Sequence, residues 1–87
     1  MEKRYDLVDT VKLMISPDYK DRMKGEYLQV KIRHDKLDDM LKKNARGELD
    51  FNLSCPVSVL HKQLLVMEEY MHILEERAEI EGVYFWN

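Results

Sequence analysis

Apolar residues recur along most of this chain at the three-to-four residue spacing of amphipathic helices. Leu7, Val8, Val11, Met14 and Ile15 fall at i, i+1, i+4, i+7 and i+8, which predicts a short first helix over residues 6–15. The run "SPDYK" ends it, because Pro17 disfavours a helical Ser16. Ser16 can cap the next helix, Pro17 suits its first turn, and Asp18 suits its positive dipole end. That second helix is expected over residues 17–44. Tyr19, Met23, Tyr27, Val30, Leu37 and Leu41 share one face, with His34 among them, and Leu28 and Ile32 form a smaller apolar patch almost opposite. Gly25 inside the helix costs about 1 kcal/mol relative to Ala. Close approach of another backbone would explain it, as would simple tolerance. Asn44 and Gly47 are good stop residues.

In the connector, residues 45–54, Leu49, Phe51 and Leu53 alternate with Glu48, Asp50 and Asn52, so the segment is expected to run extended with its apolar side inward. The third helix is predicted over residues 55–81, with Pro56 in its first turn and Gly82 as a left-handed cap. Val57, Leu60, Leu64, Met67, Met71, Leu74 and Ala78 make one stripe. Val59, Val66, Tyr70, Ile73, Arg77 and Ile80 make a second beside it. Together they span an apolar arc of roughly 200°, about twice what one neighbour requires. The third helix is therefore expected to touch the second helix and either the first helix or another copy of the chain. The tail "VYFWN", residues 83–87, is too apolar for water and is expected to dock on the same protein or on a symmetry mate.

These elements predict an all-α fold. It is an antiparallel two-helix hairpin of long helices with a short N-terminal helix, in a single domain over residues 1–87. No repeats, low-complexity segments or linkers interrupt it. A chain of 87 residues buries a modest fraction of its surface, and the surplus apolar surface predicts a homo-oligomer. Few Gly and Pro, with many Leu, Met, Glu and Lys, agree with helix throughout. The one cysteine, Cys55, excludes an intrachain disulfide. The longest apolar runs are four residues, so no signal peptide or membrane span is expected and a reducing cytoplasm is the default. A net charge of −3 argues against general nucleic-acid binding, although a local basic pocket remains open.

Little in the chain points to catalysis. There is no Gly-rich phosphate loop, no GxSxG and no HExxH. The spacing of Cys55 and His61 fits no zinc pattern, and His61 and His72 lie three turns apart. No metal, cofactor or enzymatic activity is expected. His34, on an apolar face, is expected to be a buried, hydrogen-bonded histidine. Glu68, Glu69, Glu75, Glu76 and Glu79 mark the solvated face of the third helix. Arg77 differs, because a permanently charged guanidinium on an apolar stripe requires partners. It either pairs with Glu81 or Glu26, or it grips an anion through two parallel hydrogen bonds. Arg33 sits similarly at the edge of the second helix. Arg77 and Arg33 with Tyr70 and Tyr27 at a subunit junction would suit a nucleotide, whose phosphate pairs and whose base stacks.

The runs "ISPDYKDRMKGEYLQVKIRHDKL" and "LDFNLSCPVSVLHKQLLVMEEYMHILEERAEIEGV" resemble a family of small proteins from gut-bacterial phages and prophages, first labelled from crAss-like phages. The resemblance covers about residues 14–83. Its most specific pieces are "SPDYK", "LDF" before "SCP", and "RAEIEG". It implies a phage or prophage origin, hence the cytoplasm of a bacterial host, and a helical hairpin, and it supplies no catalytic residues. In layout the chain is also similar to phage anti-CBASS sponge proteins, small helical hairpins that hold cyclic nucleotide signals between subunits without cleaving them. Their "LEEA"-like stretch late in the last helix corresponds to "LEERA" at residues 74–78, where Arg77 is an insertion. The implied function is a counter-defence protein that sequesters a nucleotide-derived immune signal in a homo-oligomer. The alternative is a protein–protein inhibitor of a host defence enzyme, such as a CRISPR effector, acting through the acidic face or the aromatic tail.

Overall fold

The computed structural model describes residues 5–85. A 3₁₀ turn, Leu7–Asp9, leads into α1 (Thr10–Met14), followed by α2 (Tyr19–Ala45) and α3 (Val57–Glu81). The molecule is an all-helical hairpin of two long helices with a short N-terminal helix, and no strand occurs among the described residues.

The first element departs from the predicted amphipathic helix. It opens as a 3₁₀ turn, in which Asp9 Oδ2 accepts from the Asp6 amide at 2.8 Å. Leu7 and Thr10 stand one 3₁₀ turn apart, and Leu13 follows in the α-helical part. Those three face inward, while Val8, Val11 and Ile15 of the predicted stripe lie exposed. Thr10 is fully buried without cost in unmet hydrogen bonding, because its Oγ1 donates to the Leu7 carbonyl at 2.7 Å.

Gly25 is where α1 meets α2. A Cβ there would stand 2.9 Å from both Leu13 Cβ and Met14 Cγ, and 3.1 Å from the Met14 backbone nitrogen. Close approach of another backbone therefore accounts for this mid-helix glycine. Of the smaller apolar patch on α2, Leu28 is buried in the core and Ile32 is half-buried.

Asp18, rather than Ser16, caps α2: its side chain accepts from the Lys20 amide at 3.0 Å. Ser16 braces this start instead, donating to Asp21 Oδ2 at 2.8 Å while its carbonyl accepts from Arg22 at 2.7 Å. Gly47, at φ 71°, turns the chain out of α2. The connector then only half fulfils its alternation: Leu49 and Leu53 are half-buried, but Phe51 points outward. Gly82 closes α3 in the left-handed conformation at φ 69°, and the Val83 amide returns to the Ala78 carbonyl at 2.9 Å. This turn drives the tail back into its own chain. Val83 and Phe85 join Met23, Tyr27, Leu28, Met71, Leu74 and Ala78 in the core, whereas Tyr84 stays outside. Residues 86 and 87 of the apolar tail lie outside the described part.

α2 is the middle of the molecule. It packs α1 on one side and α3 on the other, and α1 does not reach α3. Among the described residues the first helix is thus not the expected second neighbour of the third, and the stripe of Val59, Val66, Tyr70, Ile73 and Ile80 is exposed. The radius of gyration, 15.0 Å, exceeds the roughly 12 Å of a compact chain of this length. An elongated body of 43 × 25 × 23 Å leaves much of its helical surface without an internal partner.

Candidate functional site

Two cross-helix hydrogen bonds set the register of the hairpin. The Tyr27 hydroxyl donates to Glu75, and His34 Nε2 pairs with Glu68 Oε2 at 2.8 Å. Tyr27 and His34 are seven residues apart, as are Glu68 and Glu75, so one antiparallel register satisfies both. Glu68 and Glu75 therefore do more than solvate α3. Their matched spacing with Tyr27 and His34 was the available clue, and it is visible only once the helices are set side by side.

The chemistry of both bonds follows from their surroundings. Burial pushes the Tyr27 hydroxyl far above the ordinary phenol range, and the Glu75 hydrogen bond adds to this. The group remains a neutral donor at any physiological pH. Desolvation pulls the His34 pKa down, but hydrogen bonds to Glu68 and to Asp35 (3.0 Å) outweigh it, and the net shift is upward. Asp35 is correspondingly held below its usual range by His34 and Lys31, against the opposing effect of its own burial. His34 is thus hydrogen-bonded as its position suggested, though largely rather than fully buried, with its side chain 13% exposed.

Tyr27, a candidate for stacking on a base, is committed elsewhere. It is buried, and its ring stacks on Phe85 with centroids 4.2 Å apart and planes 8° from parallel. Its face is an internal contact.

The remaining candidates gather along one edge of the hairpin. Tyr19, Glu26 and Arg33 repeat every seven residues on α2, and Tyr70 and Arg77 do so on α3. The register puts Glu26 level with Arg77 and Arg33 level with Tyr70. Arg77 Nε donates to Glu81 Oε2 at 2.9 Å. That bond raises the guanidinium pKa, with Glu26 adding through space. Of the two ion-pair partners the sequence offered, Glu81 makes the contact. Arg77 is nonetheless no buried charge, because 49% of its side chain is exposed. Arg33 is exposed and Tyr70 is 40% exposed. The edge therefore presents two guanidiniums and an open aromatic face, a set that can pair with an anion and stack on a planar group.

Two surface cavities contain none of Arg33, Tyr70, Arg77 and Tyr27. One, of about 460 Å³, lies between the end of α2 and the connector, where Asp39, Glu48 and Asp50 outnumber Lys36 and Lys43. That balance does not favour an anion. The other, of about 390 Å³, lies under the tail against Ala78, Val83 and Phe85. Cys55 is a free, half-buried thiol. Among the described residues, no cluster of His, Cys, Asp and Glu has the grouping to hold a metal, and no helix is long and apolar enough to cross a membrane.

No curated protein and no solved structure matches the chain. A family model described as Sequestin does match, over residues 17–80, a span that takes in α2, the connector and nearly all of α3. The hairpin that carries Arg33, Tyr70 and Arg77 is thus the family's own unit, and the chain belongs to the Sequestin family.

Proposed function

We propose that this protein is a phage-encoded counter-defence sponge. It binds a nucleotide-derived immune signal and withholds it without cleaving it, at sites formed in a homo-oligomer in the cytoplasm of a bacterial host. Arg77 and Arg33 hold phosphate and Tyr70 stacks on a base. Tyr27 supports the site from within, by fixing the register that brings the two arginines onto one edge. The family's name is consistent with a sequestering role. The observation that carries the chemistry is the shared edge of Arg33, Tyr70 and Arg77, open to solvent and flanked by apolar residues.

The Arg77–Glu81 bond does not block this role. An exposed pair one helical turn apart is weak and screened by salt. A phosphate offers the same guanidinium a bidentate partner of higher charge, so it can displace or share with Glu81. With no nucleophile motif in the sequence, the ligand is held rather than turned over.

Calorimetry or thermal shift against a panel of cyclic dinucleotides and ADP-ribose-type signals tests the proposal. A member of the panel should stabilise the protein and be recovered intact after long incubation. Failure of every member would sink the sponge reading, and recovery of a cleaved product would make the protein an enzyme. Arg77→Gln should abolish binding and leave the melting temperature unchanged, because the side chain is half exposed and its bond to Glu81 is a surface pair. The competing role, inhibition of a host enzyme anchored by the aromatic tail, loses Val83 and Phe85 to the core.

A further inference from the structure

The outer stripe of α3 has a finer order than exposure alone conveys. Val59, Val66, Ile73 and Ile80 recur every seven residues, and Gln63, Tyr70 and Arg77 sit between them at alternating steps of four and three. That is the seam of a two-stranded coiled coil, with a β-branched residue at every position of one set. The four β-branched side chains are 48% to 77% exposed, so nothing among the described residues covers them. α1, the other candidate, is spent on the opposite side of α2.

We propose that this seam pairs with the same seam of a second copy, α3 against α3, in an antiparallel dimer. The charges on the stripe choose both the partner and the direction. A parallel pair would set Arg77 against the partner's Arg77 along the seam. An antiparallel pair, with its two-fold axis near residues 66–70, sets Val66 beside the partner's Tyr70 and Gln63 beside the partner's Ile73. Arg77 then lies beside the partner's Val59. Lys62, the positive flank of the N-terminal half, comes to the partner's Glu76 in the negative C-terminal half, and this pairing occurs twice. Two Lys62–Glu76 pairs outnumber the one like-charge pair, Glu69 against Glu69 near the axis, so the stripe is complementary to itself when reversed, as a two-fold interface requires. The dimer also places Tyr70 and Arg77 inside a subunit junction. In that one respect the inference rests on the proposed function and supplies the junction it requires.

The mass of the full chain, measured without ligand by light scattering or sedimentation, should be twice the 10.5 kDa of one chain or a multiple of that pair. Ile73→Asp should give a monomer with unchanged helix content, because Ile73 is exposed in the single chain. Should that variant unfold, Ile80→Asp makes the same test at a still more exposed site. Direction is read by cross-linking in a Cys55→Ser background. Glu69→Cys, near the axis, should link to itself through a short bis-maleimide. Val59→Cys should not, because the two copies of that residue would stand about 27 Å apart along the helices. A monomeric parent protein at every concentration from micromolar to millimolar overturns the proposal. So does an oligomer untouched by either aspartate, or self-linking at Val59→Cys. Since no ligand is present, an empty nucleotide screen leaves the dimer standing, and a monomer leaves ligand binding to be judged by that screen alone.

Discussion

His34 is the residue whose environment has the clearest consequence in solution. Its pKa is raised in the folded protein, so folding favours the protonated form. The stability it contributes is fully present below its unfolded pKa of about 6.5, and is lost as pH rises through the folded value. Melting curves of the parent protein and His34→Gln should therefore differ most under mildly acidic conditions and converge toward alkaline pH. A gap that widened with rising pH would contradict the Glu68–His34–Asp35 arrangement. Tyr27→Phe isolates the other cross-helix bond. It keeps the stack on Phe85 and removes the hydroxyl, and Glu75 lies at the surface where water can replace the lost donor. The expected cost is about 1 kcal/mol in a denaturant titration. At this scale the sequence disclosed His34 and Arg77 because each sits wrongly among apolar neighbours. It concealed Tyr27, whose burial depends on Phe85 arriving from 58 positions away. Nothing local marks such a contact.

Among the elements, α1 tests the packing logic. Gly25→Ala gains helix propensity of about 1 kcal/mol. The added methyl meets Leu13 Cβ and Met14 Cγ at 2.9 Å, and the nearby Met14 nitrogen cannot swing away as a side-chain tip could. Overpacking of this kind costs about 1–3 kcal/mol, so a net loss of about 1 kcal/mol is expected in thermal unfolding. An increase in stability would mean that α1 does not seat on Gly25. The long helices were readable because their stop signals, Gly47 and Gly82, adopt the left-handed turn that glycine tolerates best. The short N-terminal helix is present as expected, but its inner face differs from the predicted stripe because a helical wheel presumes 3.6 residues per turn, and the 3₁₀ start leaves Val8 and Val11 outward. Both Ser16 and Asp18 are good cap types, and it is Asp18, in an extended conformation, whose side chain accepts from the first turn of α2.

For the molecule as a whole, the core is small and Phe85 is a large part of it. Phe85→Ala removes the Tyr27 stack and opens a void, which costs about 3–4 kcal/mol. Native domains are stable by only about 5–15 kcal/mol, so this variant should melt far earlier or fail to fold alone. The apolar arc of α3 predicts a second neighbour, yet among the described helices α3 packs only on α2, and the second neighbour is left to the partner copy proposed above.

The central place of α2 has a consequence for how the molecule opens. α1 touches α2 and not α3, so it can detach while the Tyr27–Glu75 and His34–Glu68 bonds stay closed. α2 has no such freedom, because releasing it releases both neighbours. Amide hydrogen exchange should therefore show two tiers. The amides of Thr10–Met14 should exchange early, through local opening. Those around Tyr27 and Leu74, where α2 and α3 meet, should exchange only when the whole chain unfolds.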